Sequence, residues 1–469
     1  MTGSEITAER PMRHISRWKV FGVFCLVVFL FFFGVVFIPW DVKAPNDADL
    51  QYTPLTLEPG KNAFTYLEAA GKMQVIEFSA TATRPCQDWI KLPSRIGSPS
   101  EEWNPAFADE VLAANVAVFP EVEKGLACEH YAHPVGYDWS ARLPWLRQHR
   151  DLVSLLLLKS KRVQLTGDSI AAAHAVSQAW LLSEKVANNA SYLIVWQVGI
   201  NCQHDALERF DEIISDVKTP ESVLRNCLVQ LTCWDPQRLS GGYKQAMQVE
   251  YQMVITAINH PCVRHDYLRN AEREPRYLVM VPYCFKPKMT AGLFAPYYRH
   301  LIGNADRTYV GMSLNYPGRP KDPLKVLDKA EMFINPNSIG KIMFFLRVLA
   351  FDVSTLKKYQ LEASVAALRM KIALRLYEQK HGRLPDDLKA LIPDLLKEIP
   401  RDPYDGQPFR YSKTERKVWA VGRDLKDDGG KMKDDRIMVD LLGSDLVLPL
   451  GTREMKPTPP PPLGNKPKE

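Results

Sequence analysis

The chain has 469 residues, is 46% hydrophobic and 24% charged, and carries a formal net charge of +6. That length exceeds one small core and suits two or three domains. Lysine and arginine are scattered rather than run together, which excludes a nucleic-acid footprint and predicts no nucleic-acid partner.

The first predicted element is "VFGVFCLVVFLFFFGVVFI", Val20 to Ile38, with no charge and no strongly polar group. At about nineteen residues it is long enough to cross a bilayer core as a helix. Arg10, Arg13, Arg17 and Lys19 precede it, and Asp41, Asp47 and Asp49 follow. The excess of positive charge places the N-terminal tail in the cytoplasm and the rest of the chain in the periplasm, with the bilayer as partner. Trp18 and Trp40 bracket the segment as interface anchors. A cleaved signal peptide would have a shorter apolar stretch and small residues at its cut site. Here Val42 and Ala44 are followed by Pro45, a poor cleavage context, so an uncleaved anchor in the inner membrane is expected.

Cys25 lies in this segment; the other cysteines are Cys86, Cys128, Cys202, Cys227, Cys233, Cys262 and Cys284. An oxidising compartment allows disulfides among them, and the odd number leaves at least one thiol unpaired. No CxxC pair occurs, so neither a zinc ribbon nor a thioredoxin-type site is indicated.

Residues 41–60 are polar and proline-punctuated, the composition of a linker. "NAFTYLEAAGKM" follows as a helix with Asn62 at its N-cap. From about 105 to 350 the dominant period is helical. Leu146, Leu152, Leu155, Leu156 and Val163 share one broad face. Gly167 and Asp168 then turn the chain into "SIAAAHAVSQAWLLSEKVAN", with Ser169 as the expected cap. The pair forms an αα-hairpin. Further helices are predicted over 206–214, 220–231, 242–259, 289–304 and 338–351.

The last part changes character. Leu361, Val365, Leu368, Ile372 and Leu376 fall at helical spacing, and Gly382 and Pro385 stop the helix. Leu388, Leu391, Ile392 and Leu395 suggest a short helix. After the Asp405-Gly406 turn, "PFRYS" and "KVWAV" have the pattern of a hairpin. "PTPPPPLGNKPKE" closes the chain as a solvated tail. The expected organisation is a cytoplasmic tail over 1–19, a transmembrane helix over 20–38, and a linker over 39–61. A helical domain over 62–352, an α+β domain over 353–450 and a disordered tail over 451–469 complete it. The fold class is mainly α.

Three stretches, "ALRLYEQKHGRLPDDLKALIP", "IPRDPYDGQPFRYS" and "AVGRDLKDDGG", carry a resemblance. In order and spacing they resemble the C-terminal domain of the major pseudopilin of type II secretion. The whole chain also looks like large families of anchored proteins in planctomycete and verrucomicrobial bacteria, in which a helical body precedes this cassette. The resemblance implies a small α+β domain and a link to secretion or pilus-like machinery. It also implies a calcium loop, which here would use Asp424, Asp427 and Asp428, with Asp434 or Asp435 closing it. Two departures stand out. No glutamate occurs in the membrane segment, and a long body separates that segment from the cassette, so a polymerising filament subunit is not expected.

The acidic loop has two readings from its residues. Asp424, Asp428, Gly429 and Asp435 match EF-hand positions one, five, six and twelve, but Lys426 stands where a ligand belongs. Alternatively, Gly429 and Gly430 supply positive φ to a charged turn. "VQLTGDSIAAAH" offers a second candidate. Gly167-Asp168-Ser169 resembles the nucleophile block of SGNH ester hydrolases, and Val198 to Asn201 echoes their oxyanion block. No histidine has an aspartate three residues before it, so the base is missing. The turn-and-cap reading is the simpler one, and no enzyme is expected. Cys128, His130 and His133, with Cys202 and His204 or Cys262 and His265, are the zinc candidates, against scattered core cysteines and surface histidines. A scaffold or interaction protein of the cell envelope is the expectation, with no certain cofactor.

Overall fold

The computed structural model describes residues 17–37, 41–58, 60–75, 105–137, 142–260, 285–312, 335–431 and 445–451. Among the described residues the chain is mainly helical with one small sheet. It divides into two compact units. One comprises Met1–Asn46, Ile258–Phe294 and Gly318–Arg347; the other comprises Asp47–Ala257, Ala295–Pro317 and Val348–Glu469.

In the first unit, α1 (Arg17–Phe37) is a continuous helix. Its described side chains from Trp18 to Phe31 are all exposed. Side chains of α1 are described from Trp18 to Phe31 and at Gly34, and among residues so described no helix is long and apolar enough to cross a membrane. Elsewhere in this unit, Asp41 accepts the N–H groups of Lys288 at 2.7 Å and Met289 at 3.1 Å. Its carboxylate thereby serves orphan donors in the first turn of the helix beginning at Pro287.

The second unit is built in chain order. Helix α2 (Ala63–Met73) is capped by Asn62, as the sequence predicts, through a 3.0 Å bond from the Phe64 N–H. The short helices α3 (Pro105–Ala114) and α4 (Val118–Ala127) follow. Gly125 of α4 lets Leu67 of α2 approach, for a Cβ there would fall 2.9 Å from Leu67 Cγ. The αα-hairpin is then α5 (Pro144–Leu165) and α6 (Ser169–Asn188). Helix α7 (Leu193–Ser215) packs on both, and α8 (Glu221–Thr232) and α9 (Pro236–Asn259) continue the body. Trp180, Trp196, Phe210 and Tyr243 are fully buried at its centre. The predicted helices over 206–214 and 242–259 lie within the longer α7 and α9, and the one over 220–231 matches α8 shifted by one residue.

The expected linker is tied to the body through its middle, Asp47 to Tyr52. Tyr251 of α9 donates to Asp47 at 2.8 Å, Gln248 reaches the Asp49 carbonyl at 3.1 Å, and Gln252 reaches Gln51 at 2.8 Å. Arg299 forks onto both oxygens of Asp49 at 2.7 Å, from α10 (Pro287–Asn304). Side chains of one face of α9 thus hold a segment that contains the 3-10 turn Ala48–Leu50, mostly through its side chains.

The predicted helix over 338–351 and the striped helix after Leu361 are one element, α11 (Ser338–His381). The boundary expected between 352 and 353 therefore falls inside a helix. No proline or glycine stands near it, and helix propagation has no reason to stop. All five stripe residues are buried, and so are Ala363, Ala367, Met370, Ala373 and Leu374, so α11 is enclosed on several sides. It ends as predicted, with Gly382 at φ +70° and its N–H on the Glu378 carbonyl at 2.8 Å. The short helix after it is a 3-10 turn, Leu388–Leu391, which stacks residues three apart. Leu388 and Leu391 are accordingly buried while Ile392 is exposed, correcting the single face drawn for an α-helix.

The hairpin is β1 (Arg410–Ser412) and β2 (Lys417–Ala420), and β3 (Leu446–Pro449) adds antiparallel to β2 with Val418 opposite Leu448. The cassette is not a separate compact unit: Val348–Glu469 clusters with the helical body. Tyr309 and Val310 donate backbone bonds to the carbonyls of Pro403 and Tyr404 at 3.2 Å each.

Candidate functional site

Three places carry the chemistry that the sequence singles out, and the fold adds a fourth. At the hairpin between α5 and α6, Gly167 takes φ +95° and turns one helix into the next. The N-cap is Asp168, not Ser169: the Asp168 carboxylate accepts from the Ala171 N–H at 2.9 Å. Ser169 is the first helical residue and is buried. A hydrolase nucleophile needs a strand to deliver it, and the element before this serine is a helix. Val198 to Asn201 lies inside α7. Gly199 serves packing there, since a Cβ would sit 2.7 Å from the Ala187 backbone nitrogen.

In the acidic loop Asp424 and Asp427 both have local partners. Asp424 accepts from the Lys426 N–H at 3.1 Å. Asp427 accepts from Trp419 Nε1 and from the Gly429 N–H, both at 2.9 Å, and lies 3.5 Å from Arg410 Nε. The Trp419 bond is the chief reason its carboxyl is held below the usual range. Lys417 places its ammonium 2.8 Å from the carbonyls of both Gly429 and Gly430. Those carbonyls are the neutral oxygens a calcium ion would want. Asp428 follows Asp427 in the same turn, and Asp434 and Asp435 lie outside the described residues. Asp445, which has no sequence signal of its own, accepts the Gly430 N–H at 2.8 Å. Burial raises its pKa, and the nearby charges of Asp427 and Asp428 add to the rise. Among the described residues no three His, Cys, Asp or Glu side chains are grouped to hold a metal ion. The described half of the loop is assembled as a charged turn with cations already on its oxygens.

The zinc candidates are dispersed in role. Cys128 directs its thiol at the carbonyls of Lys124 and Gly60 at 3.4 and 3.7 Å. His130 is exposed and contributes its carbonyl to the Ala63 N–H at 2.8 Å. His133 is buried in an aromatic nest, stacked on Tyr192 at 5.7 Å and tilted against Trp145 at 4.6 Å. Burial pushes the Cys202 thiol up and pushes His204 down to about 4. Cys262 and His265 lie outside the described residues. Among the described cysteines, Cys25, Cys128, Cys202, Cys227 and Cys233 are all free thiols.

The fourth place had no sequence signal. Along α7 and α11 a row of polar contacts joins the two helices. Gln197 donates to Ser354 at 2.6 Å, and Lys357 to Asn201 at 3.0 Å. Lys371 reaches Asp211 at 2.5 Å and Ser215 at 2.8 Å, and Arg375 takes the Asp216 carbonyl at 2.6 Å. Both partners rise together in number, so the helices run parallel. The row covers roughly 30 Å at the helical rise. It continues into α5, where the buried Arg209 binds Ser160, Gln164 and Glu212, and Lys161 binds Glu212 at 3.2 Å. Burial alone would raise Glu212; Arg209 and Lys161 outweigh it and hold the carboxyl low.

Comparison of the chain with family models, with curated proteins and with solved structures returned no match.

Proposed function

We propose that the protein is a single-pass, membrane-anchored scaffold of a bacterial cell envelope. In this reading α1 lies in the cytoplasmic membrane, the N-terminus is cytoplasmic and the body is periplasmic. The supporting observation is the surface of α1. Phe24, Phe29 and Phe31 are 64, 62 and 67% exposed, with Val20, Val23, Leu26 and Leu30 also open. Apolar surface of that extent costs about 25 cal/mol per Å² in water and nothing in lipid. The basic residues before it and the aspartates after it give the orientation.

A scaffold suits the body better than catalysis, because Asp168, Ser169, Gly199 and His133 serve in packing and capping. The order of α11, its glycine stop, the 3-10 turn and the hairpin supports the pseudopilin-like reading of the C-terminal part, and with it an interaction with type II secretion or pilus-like machinery.

Alkaline extraction of envelopes is the test of the anchor. The chain is expected to remain with the lipid, and a variant lacking residues 20–38 is expected in the soluble fraction. Release of the full chain by alkali would remove the anchor. Crosslinking in intact envelopes tests the partner: adducts with pseudopilins are expected, and their absence would leave the anchor without the secretion link.

A further inference from the structure

The nest around His133 does more than fill space. Three segments meet there: Phe64 from α2, Tyr131 and His133 from the loop after α4, and Trp145 and His149 from α5. Tyr192, at the start of α7, closes it. Phe64 lies edge-on to Trp145 at 5.2 Å and to His149 at 5.6 Å. The loop is also what fastens its neighbours. Asn62 exchanges two bonds with Ala132, at 2.7 and 2.9 Å, and Tyr137 donates to the Tyr52 carbonyl at 3.1 Å.

Both histidines are committed to the neutral form by geometry. The Nδ1 of His133 faces the Pro134 carbonyl at 3.0 Å, which can only accept, so Nδ1 carries the proton. Its Nε2 then accepts the Ser191 backbone N–H at 3.2 Å. A second proton on the ring would set N–H against N–H and end that bond. His149 meets the Tyr131 hydroxyl through Nδ1 at 3.2 Å, and its Nε2 is buried with no partner among the described residues. A proton there would have no acceptor.

Charge around the nest offers no relief. Glu68 and Lys72 of α2 pair with each other at 3.1 Å. Asp151 of α5 faces Arg147 and Arg150. In the loop, Glu129 lies 3.9 Å from His130. The Tyr192 hydroxyl is bound to Gly136. Among the described residues, the one ionisable charge acting on His149 is His133 itself, which opposes protonation after burial has already done so.

We propose that residues 128–137 form an acid-released latch, in which protonation of His133 and His149 frees the loop and the N-terminal end of α2 from α5. The signs follow from linkage. The rings hold at about 4 and about 3 when closed and return to about 6.5 when released. The open state therefore binds more protons, and closure weakens as pH falls through 6.5.

Hydrogen exchange on the full chain in mild detergent, corrected for intrinsic rates, tests this, with peptides of α7 as internal reference. From about pH 7 to about pH 4.5 the open population over residues 60–75 and 128–137 is expected to rise on the order of fifty-fold per histidine. Protection in α7 is expected to hold. His149→Phe should halve the logarithmic pH response, and His133→Phe with His149→Phe should abolish it. A pH response unchanged in His149→Phe, no response in the native chain, or opening of α7 in step with the loop would each overturn the latch. If the double variant does not fold, the His149→Phe result decides.

Discussion

Helix α7 is held on two sides by opposite means. Against α6 the contact is apolar and close: Gly199 lies on the Ala187 backbone, and Trp180 meets Phe210 edge-on at 6.4 Å. Against α11 the contact carries amides, a buried lysine and a buried arginine. The first side gains from area removed from water and tolerates any register that keeps volume. The second gains little net energy, because desolvation offsets most of the attraction, but it penalises every register except one. The comparison teaches that one face of α7 supplies stability and the other supplies alignment.

That division can be broken from either side. Trp180→Ala should cost the most, about 3–5 kcal/mol, from lost burial and the cavity left behind. Denaturant unfolding would show it as a lower midpoint with little change in slope. Lys371→Met should cost nearly as much, about 3–5 kcal/mol, because Asp211 is left buried and unpaired. Adding Asp211→Leu should restore most of that loss, which no second change of one residue can do for Trp180. If the double variant stays as weak as the single one, the seam contributes energy and not only alignment. Gly199→Ala should cost about 1–3 kcal/mol by overpacking against backbone that cannot retreat. The smallest effect separates the two residues at the hairpin turn. Asp168→Ala should lose about 1 kcal/mol of cap stability, and Ser169→Ala distinctly less. Thermal melts of the two variants side by side would check which of them caps α6.

Apolar stripes were legible in the sequence and the polar seam was not. Leu361, Val365, Leu368, Ile372 and Leu376 announce a buried stripe by spacing alone, and each is buried. Gly382 and the Asp405-Gly406 turn marked their stops correctly, because positive φ is chemistry that a single residue type declares; both glycines have it. Lys371 and Arg375 look like solvated charges in the same helix, and nothing local says otherwise. Their partners stand 156 to 160 residues earlier. Ser169 was read as the cap because serine caps well, yet Asp168 one residue before it does so too, and one residue is within the usual uncertainty of a helix end. The strand β3 escaped notice because "LVLP" is short and its pairing partner is set only by the fold. Asp445 escaped with it, although it is the carboxylate that anchors Gly430.

The parallel register of α7 and α11 also fixes an order in time. All contacts of the seam join residues 156 to 160 apart, whereas α5, α6 and α7 follow one another through short turns. Short loops close before long ones, and a chain emerging N-terminus first has α5 to α7 available long before α11. The hairpin body therefore waits, with Asp211, Ser215 and the Asp216 carbonyl open to water, until the last third of the chain arrives. Those groups are polar and stay solvated until then, whereas the apolar surface that later encloses Leu361, Leu368 and Ile372 is uncovered for the same interval. Pulse-labelled exchange during refolding should find the amides of α6 and α7 protected first and those around Lys371 protected last.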